Sequence, residues 1–235
     1  MKALLVADGD VPQRVRLDEA WPGWDDGVEL VIAADGGAPK AVSLGLSPHV
    51  VVGDADSIDA AELARLESAG TRIRLYPTAK DASDTELGLA EAVGAGATVV
   101  TILGALGGLR FDHAIANVLL LALDRFSGCE VTLLDGTTRV RLIRAGPSGE
   151  RGEIALRGRV GELVSLFPLG EAHGLLSEGL EYPLRDEPLA AGTTRGLSNV
   201  RLEAEARISL AGGRLLIVET TQGAVAPAPT PGGSA

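Results

Sequence analysis

Up to about residue 135 the chain alternates short apolar runs with longer stretches of helical spacing. The runs at 3–7, 30–34, 50–53, 72–75, 98–103 and 131–134 are rich in Val, Ile and Leu, as expected of strands covered on both faces. Helix starts are readable between them. Asp59 with Glu62, and Ser83 with Glu86, have capping-box spacing. Pro39 suits a first helical turn, and Gly45 and Gly70 suit helix ends. The stretch 114–123 is apolar on nearly every side and predicts a buried helix. Strand and helix in alternation predict an α/β fold with a parallel sheet flanked by helices.

After about residue 138 the helical period fades. Strand-like runs follow at 154–156, 163–167, 200–204, 206–210 and 215–220, with Ala211-Gly212-Gly213 reading as a hairpin turn between the last two. The pattern predicts an α/β domain over 1–137 and a smaller antiparallel β-sandwich over 138–221. Residues 222–235 carry no charge, are rich in Pro, Gly and Ala, and are expected to be disordered.

Composition narrows the chemistry. At 235 residues, 46% hydrophobic and 23% charged, the chain has an ordinary globular make-up. A net charge of −11 argues against non-specific nucleic-acid binding and against an anionic membrane surface. It does not argue against nucleotides, because a few local cations and a metal reverse the field in one cleft. The single Cys129 excludes an internal disulfide framework and a Cys-cluster zinc site. The first apolar run is too short for a signal peptide and no segment is long enough to span a bilayer, so a cytoplasmic location is expected.

Acidic residues recur where predicted strands end. Gly53-Asp54-Ala55-Asp56-Ser57 places a D-x-D after a buried strand, and a loop there can turn both carboxylates toward one cation. Taken alone, the same residues serve equally well as a capped turn. Lys80-Asp81-Ala82-Ser83-Asp84-Thr85-Glu86 opens a helix; Ser83 caps it, and Asp84 and Glu86 complement its dipole. Asp81 and Lys80 lie outside the helix and have no such duty. Gly107-Gly108-Leu109-Arg110-Phe111-Asp112-His113 combines glycines that admit a phosphate to the backbone with an Arg suited to bidentate contact. Ala34-Asp35-Gly36-Gly37-Ala38 repeats the strand, Asp, glycine, helix order. In an open parallel sheet these strand ends share one crevice, where gathered carboxylates call for a hard cation or basic groups. Mg²⁺ carrying a polyphosphate fits. Neither a P-loop nor a dinucleotide-binding glycine pattern is present.

Together these segments resemble the thiamine pyrophosphokinase family. The family pattern joins an A-D-G-G-A-like segment, G-D-x-D-S, K-D-x-[ST]-D with a following Glu, and G-G-R-x-D-H leading into an Ala-Asn helix. Here they are 34–38, 53–57, 80–84 with Glu86, and 107–113 with Ala116-Asn117; Gly196-Leu197-Ser198-Asn199 is similar to the family's G-x-S-N. Three departures stand out. Leu109 separates the glycine pair from Arg110, Val200 stands where the family has an acidic residue, and no Trp follows Trp24. The resemblance implies a homodimer with sites at the subunit interface, and Mg²⁺-dependent transfer of the pyrophosphoryl group of ATP to thiamine. It implies metal and phosphate roles for Asp54, Asp56, Asp81 and Asp84, with Asp54, Asp56 and Asp81 as the metal ligands. Arg110 and Asp112 would position phosphates or the attacking hydroxyl. Asp35, Gly36, Gly37, Ser57, Lys80, Gly107, Gly108 and His113 would line the nucleotide, and Ser198 with Asn199 would contact thiamine.

Three rivals remain at this point. Pyrophosphoryl transfer to another hydroxymethyl heterocycle, such as a pterin, would keep every Asp. An aspartyl-phosphate phosphatase would use the first D-x-D but leave the other two acidic segments unexplained. A non-catalytic nucleotide or thiamine sensor would have to tolerate like charges at one edge.

Overall fold

The structure, a computed structural model, describes residues 1–54, 60–77 and 79–221 and divides into two units, Met1–Leu142 and Ile143–Ala235. The predicted tail 222–235, with Asp56, Ser57 and Asp59, lies outside the described residues.

Every apolar run of the first unit becomes a strand: β1 (Lys2–Val6), β2 (Val28–Ala34), β3 (Val50–Gly53), β4 (Arg72–Leu75), β5 (Val99–Leu103) and β6 (Glu130–Leu134). They pair in parallel in the order β6-β5-β1-β2-β3-β4. Asp135 Oδ1 then accepts from the backbone N–H groups of Thr137 and Thr138, both at 2.7 Å. This Asx turn reverses the chain into β7 (Thr138–Arg144), antiparallel to β6. β4 departs from the expectation of full cover. As the edge strand it leaves Arg72, Arg74 and Leu75 exposed.

Among the described residues the α-helices between these strands are α1 (Arg14–Ala20), α2 (Gly37–Ser43), α3 (Ala60–Ser68), α4 (Asp84–Gly94) and α5 (Phe111–Leu120). The period-2 alternation of β1 sends its residues to two faces. Leu4 and Val6 pack with Leu17, Trp21 and Trp24 around α1 and with Ala41 of α2. On the opposite face, a Cβ on Gly88 of α4 would overlap Leu5, with Val52 in contact beside it. Ser83 caps α4 as its sequence predicts, accepting from Glu86 N–H at 3.2 Å. The Glu86 carboxylate pairs with Arg125 instead of closing the reciprocal bond.

The helix expected to be buried is only half so. In α5, Asn117 and Leu120 are buried, while Phe111, Ile115 and Leu119 face outward. Among the described residues no helix is long and apolar enough to cross a membrane.

The second unit holds β8 (Gly152–Arg157), β9 (Leu163–Pro168), β10 (Ala172–Glu178), β11 (Arg185–Leu189), β12 (Asn199–Val200), β13 (Glu205–Leu210) and β14 (Arg214–Thr220). β11-β10-β13-β8 form one antiparallel layer and β12-β9-β14 another. Leu156, Leu175, Ala206 and Ile208 of the first meet Val164, Leu166, Leu215 and Ile217 of the second, so the unit is a β-sandwich. The predicted hairpin at 211–213 is corrected. β13 pairs with β8 and β10 whereas β14 pairs with β9, so the turn carries the chain from one layer to the other. Gly212 is bridged to His173, whose ring occupies the space a side chain at 212 would need. The strand predicted at 200–204 shrinks to Asn199–Val200, with Arg201 adding only an isolated bridge to Leu180.

Candidate active site

The order of the first sheet has one reversal. After β1 the chain adds strands on one side through β4, then returns to place β5 on the other side of β1. Loops leaving the carboxyl ends of β1 and β5 therefore diverge, and a crevice opens between them. A cavity of about 550 Å³ lies there, lined by Asp8, Asp10, Asp35, Asp84, Gly107, Gly108, Arg110, His113 and Asn117 among others.

Glycines set how closely the two loops approach. Gly9 N–H donates to Gly104 O at 3.0 Å, and a Cβ on Gly9 would overlap the carbonyls of both Gly104 and Gly107. Gly108 has φ 111°, a conformation that favours glycine. Buried Asn117 donates to Ala105 O at 3.0 Å and so ties α5 to this loop. Gly36 and Gly37 are buried at the start of α2, against Asp8 and the Val6 carbonyl respectively.

Asp35 sits at the electrostatic centre. It has φ 46°, unusual outside glycine. No donor among the described residues reaches its buried Oδ1. Burial, a hydrogen bond shared with the Asp84 carboxyl, and the charges of Asp84 and Asp54 push its pKa up to about 7, with Lys80 opposing. Lys80 Nζ lies 2.5 Å from Asp84 Oδ1. Burial works against the Lys80 ammonium, yet the bond to Asp84 and the nearby Asp54 and Asp35 hold its pKa above the ordinary value. Asp35, Asp54, Lys80 and Asp84 thus act on one another's charge.

Arg110 is the N-cap residue of α5 and is bidentate to Asp112, at 2.9 and 2.6 Å. That hydrogen bonding from Arg110 holds the Asp112 carboxyl at about 2. Both side chains are exposed. Asp81 is exposed in the bend before α4 and does not line the cavity.

Three lining residues escaped the sequence reading: Asp8, Gly9 and Asp10. Lys40 of α2 grips their loop, donating to Asp8 Oδ1 at 2.8 Å and to Gly9 O at 3.0 Å. A signal existed. Ala7-Asp8-Gly9 after β1 repeats Ala34-Asp35-Gly36 after β2.

A hard cation suits this donor set. The orphaned Asp35 oxygen and its carboxylate neighbours are oxygen ligands of the kind Mg²⁺ takes. Among the described residues no three acidic or His side chains converge into a ready cage. Mg²⁺ needs none, since it keeps one or two carboxylates and fills its shell with water and phosphate oxygens.

In the second unit, Ser198 is exposed with φ 57°, and its N–H donates to Ser165 Oγ at 3.0 Å. Asn199 is buried and its side chain is committed inward. Oδ1 accepts from Tyr182 N–H at 3.0 Å and Val200 N–H at 2.9 Å, while Nδ2 donates to Tyr182 O at 2.7 Å. Asn199 therefore holds the Tyr182 backbone, and Tyr182 presents a side chain that is 65% exposed. The sequence reading found no Trp here and missed this aromatic.

Comparison with known proteins gives this geometry its context. Residues 24–133 match the thiamin pyrophosphokinase catalytic domain, and residues 153–215 match the thiamin pyrophosphokinase vitamin B1 binding domain. Thiamine pyrophosphokinase of Bacillus subtilis is 28% identical over 200 residues, 85% of this chain and 91% of that protein. The crystal structure of the Bacillus subtilis enzyme superposes with a TM-score of 0.79 at 26% identity, covering 94% of this chain and 100% of that one. Yeast thiamin pyrophosphokinase, at 15% identity, shares the fold with a TM-score of 0.71 over 94% of this chain and 86% of its own. With both domains matched in order, and a crevice at the sheet's reversal, the chain belongs to the thiamin pyrophosphokinase family.

Proposed function

We propose that the chain transfers the pyrophosphoryl group of ATP to the hydroxyethyl oxygen of thiamine, giving thiamine diphosphate and AMP. The observation that carries this reading is the cavity at the β1/β5 reversal, where Asp35, Asp84, the 107–108 glycines and Arg110 meet. The thiamine oxygen attacks the β-phosphorus, the bond from that phosphorus to the α,β-bridging oxygen breaks, and AMP leaves. Such a reaction needs alignment and charge neutralisation more than a covalent nucleophile. Holding alcohol and ATP together in line contributes up to roughly 7–11 kcal/mol.

Each part of the cavity has a task in this reading. The backbone at 107–108 approaches the phosphates and Arg110 exchanges Asp112 for a phosphate oxygen pair. Lys80 neutralises phosphate charge from beside Asp84. Asp54 and Asp84, with Asp35 once deprotonated, would hold Mg²⁺, which supplies charge neutralisation of the polyphosphate; Asp56 and Asp81 are proposed as further ligands on the family pattern. Asp112 is too weak a base to take the hydroxyl proton while Arg110 holds it, and release of that pair would restore its basicity. In the second unit, exposed Ser198 and the Tyr182 ring are proposed to receive thiamine, whose thiazolium cation suits an aromatic face.

The assembly is proposed to be a homodimer. Phe111, Ile115 and Leu119 recur every fourth residue along one exposed face of α5, an apolar stripe suited to burial against a second copy.

The test is incubation with ATP, Mg²⁺ and thiamine, followed by chromatography of nucleotides and thiamine species. Thiamine-dependent AMP with thiamine diphosphate is expected. ADP with thiamine monophosphate would overturn β-phosphoryl attack, and no turnover would point to another acceptor, such as a hydroxymethylpterin.

A further inference from the structure

Arg201 is fully buried inside the second unit, at 0% exposure. Its Nη2 donates to Glu219 Oε2 at 2.8 Å and its Nη1 donates to Leu156 O, while Nε faces Glu162 Oε2 at 3.8 Å. Both carboxylates are themselves buried. Glu162 Oε2 also accepts from Arg159 N–H at 2.8 Å. The pocket is carved by Gly158, where a Cβ would overlap Glu162 Oε2 and come within 2.9 Å of Arg201 Nε. Neither the phosphate chemistry nor the sandwich core requires a guanidinium here.

Its place in the chain supplies the reason. Arg201 follows β12, a two-residue edge strand that pairs with β9 only through Asn199↔Val164 and Val200↔Leu163. On its other side the same segment carries 179–182. Glu181 N–H donates to Val200 O at 2.9 Å, Leu202 N–H donates to Gly179 O at 2.8 Å, and Asn199 brackets Tyr182. Two ladder pairs specify register weakly, and a slip of one residue reverses every side chain. A buried cation that can be satisfied at only one position specifies it strongly, because any slip parts Arg201 from the buried carboxylates of Glu162 and Glu219. Arg201 N–H donating to Glu162 O at 2.9 Å, and Gly161 N–H donating to Arg201 O at 2.8 Å, fix the same depth from the backbone.

We propose that Arg201 is a positioning residue for thiamine, seated between Glu162 and Glu219 so that Ser198 and Tyr182 are presented in one register. The proposal rests on the reading that thiamine binds at the Ser198–Tyr182 edge, which Tyr182→Ala tests separately.

The experiment compares three variants of the whole protein with the parent by thermal melting and by steady-state kinetics in each substrate. Arg201→Met/Glu162→Gln/Glu219→Leu removes every charge at once, a change that often leaves a buried ionic site's stability intact. It is expected to fold, with KM for thiamine raised about tenfold and KM for ATP within about twofold. Arg201→Lys keeps the cation but loses the guanidinium fork, and is expected to recover part of the thiamine affinity. An unchanged thiamine KM in the folded triple variant overturns the proposal. So does an equal rise in both KM values, and so does loss of fold in both Arg201 variants, which would assign Arg201 to folding alone. If Tyr182→Ala leaves thiamine KM unaltered, the location of the acceptor site fails instead.

Discussion

The carboxylate of Asp35 occupies the space that a side chain on Gly53 would need: a Cβ at 53 would overlap Asp35 Oδ1. The end of β3 is thereby shaped to admit an acid from the end of β2, beside Asp54 and Asp84. Asp35 is raised from 3.8 to about 7, chiefly by burial and then by Asp84 and Asp54. The folded protein therefore holds a proton that the unfolded chain releases between those values. The sign follows from linkage: the contribution is fully present below about pH 4 and is lost as pH rises through about 7. The ligand-free protein is expected to lose melting temperature between about pH 4 and 7, and Asp35→Asn to flatten that slope. Parallel slopes in the two proteins would show that Asp35 does not titrate there.

The carboxylates nearest Lys80 carry the chemistry in this reading. Asp54→Asn and Asp84→Asn should leave the circular dichroism spectrum unchanged and lower kcat/KM by about a hundredfold or more, about 2.7 kcal/mol of transition-state stabilisation. Near-parental turnover in both variants would remove them from the reaction.

The join between the two phosphate-side loops makes a sharper demand. A methyl group on Gly9 meets two carbonyl oxygens of the backbone, which cannot swing aside as a side chain would. Gly9→Ala should part the loops and raise KM for ATP by about tenfold, while thiamine KM stays within about twofold. Gly94 gives the control. It ends α4 with open space around it, so Gly94→Ala should be neutral or stabilise by up to about 1 kcal/mol. Equal effects of the two substitutions would show that the contact at Gly9 is immaterial.

What could be read ahead of the structure follows from which forces are local. Strands β1, β2, β3, β5 and β6 were legible because burial demands apolar runs, and the Ser83 cap because its partner is three residues away. The crevice was legible at β2, β3 and β5, where Asp and Gly stand together after a strand. It was missed after β1, where Asp8 registered only as the end of an apolar run. The turn at 211–213 has hairpin residues, yet its strands pair elsewhere, which no local pattern encodes. Likewise the Asn199–Tyr182 bonds join residues 17 apart, so no local pattern shows that Asn199 faces inward. For α5, uniform apolarity suggested burial, but the same composition serves a helix with one face on the sheet and one left open.

Tyr182 is an exposed aromatic of the second unit, and its backbone is held by Asn199. An aromatic face near a cation contributes about 0.5–2 kcal/mol, depending on how far water is excluded. Tyr182→Ala should therefore raise KM for thiamine by about two- to thirtyfold without changing KM for ATP. Tyr182→Trp should retain or tighten binding, since indole is the stronger face. Asn199→Ala should mimic Tyr182→Ala in thiamine KM and also lower the melting temperature, because it strands the Tyr182 N–H and C=O. A Tyr182→Ala enzyme with parental thiamine KM would move the acceptor away from this edge.

The stripe on α5 yields the last expectation. Phe111 is 77%, Ile115 46% and Leu119 50% exposed, and Leu109 projects fully just before them. Each apolar side chain removed from water contributes on the order of 1.5–3 kcal/mol at full burial, so covering the stripe can sustain a stable pair of subunits. Sedimentation of the parent should therefore report a dimer. Ile115→Asp/Leu119→Asp places two charges on that face and should give monomers at micromolar concentration, with the circular dichroism spectrum retained. The substituted positions do not line the nucleotide cavity, so a fall in turnover that accompanies dissociation would tie activity to assembly. A parent that sediments as a monomer, or a double variant that stays dimeric, would place the subunit contact elsewhere on the molecule.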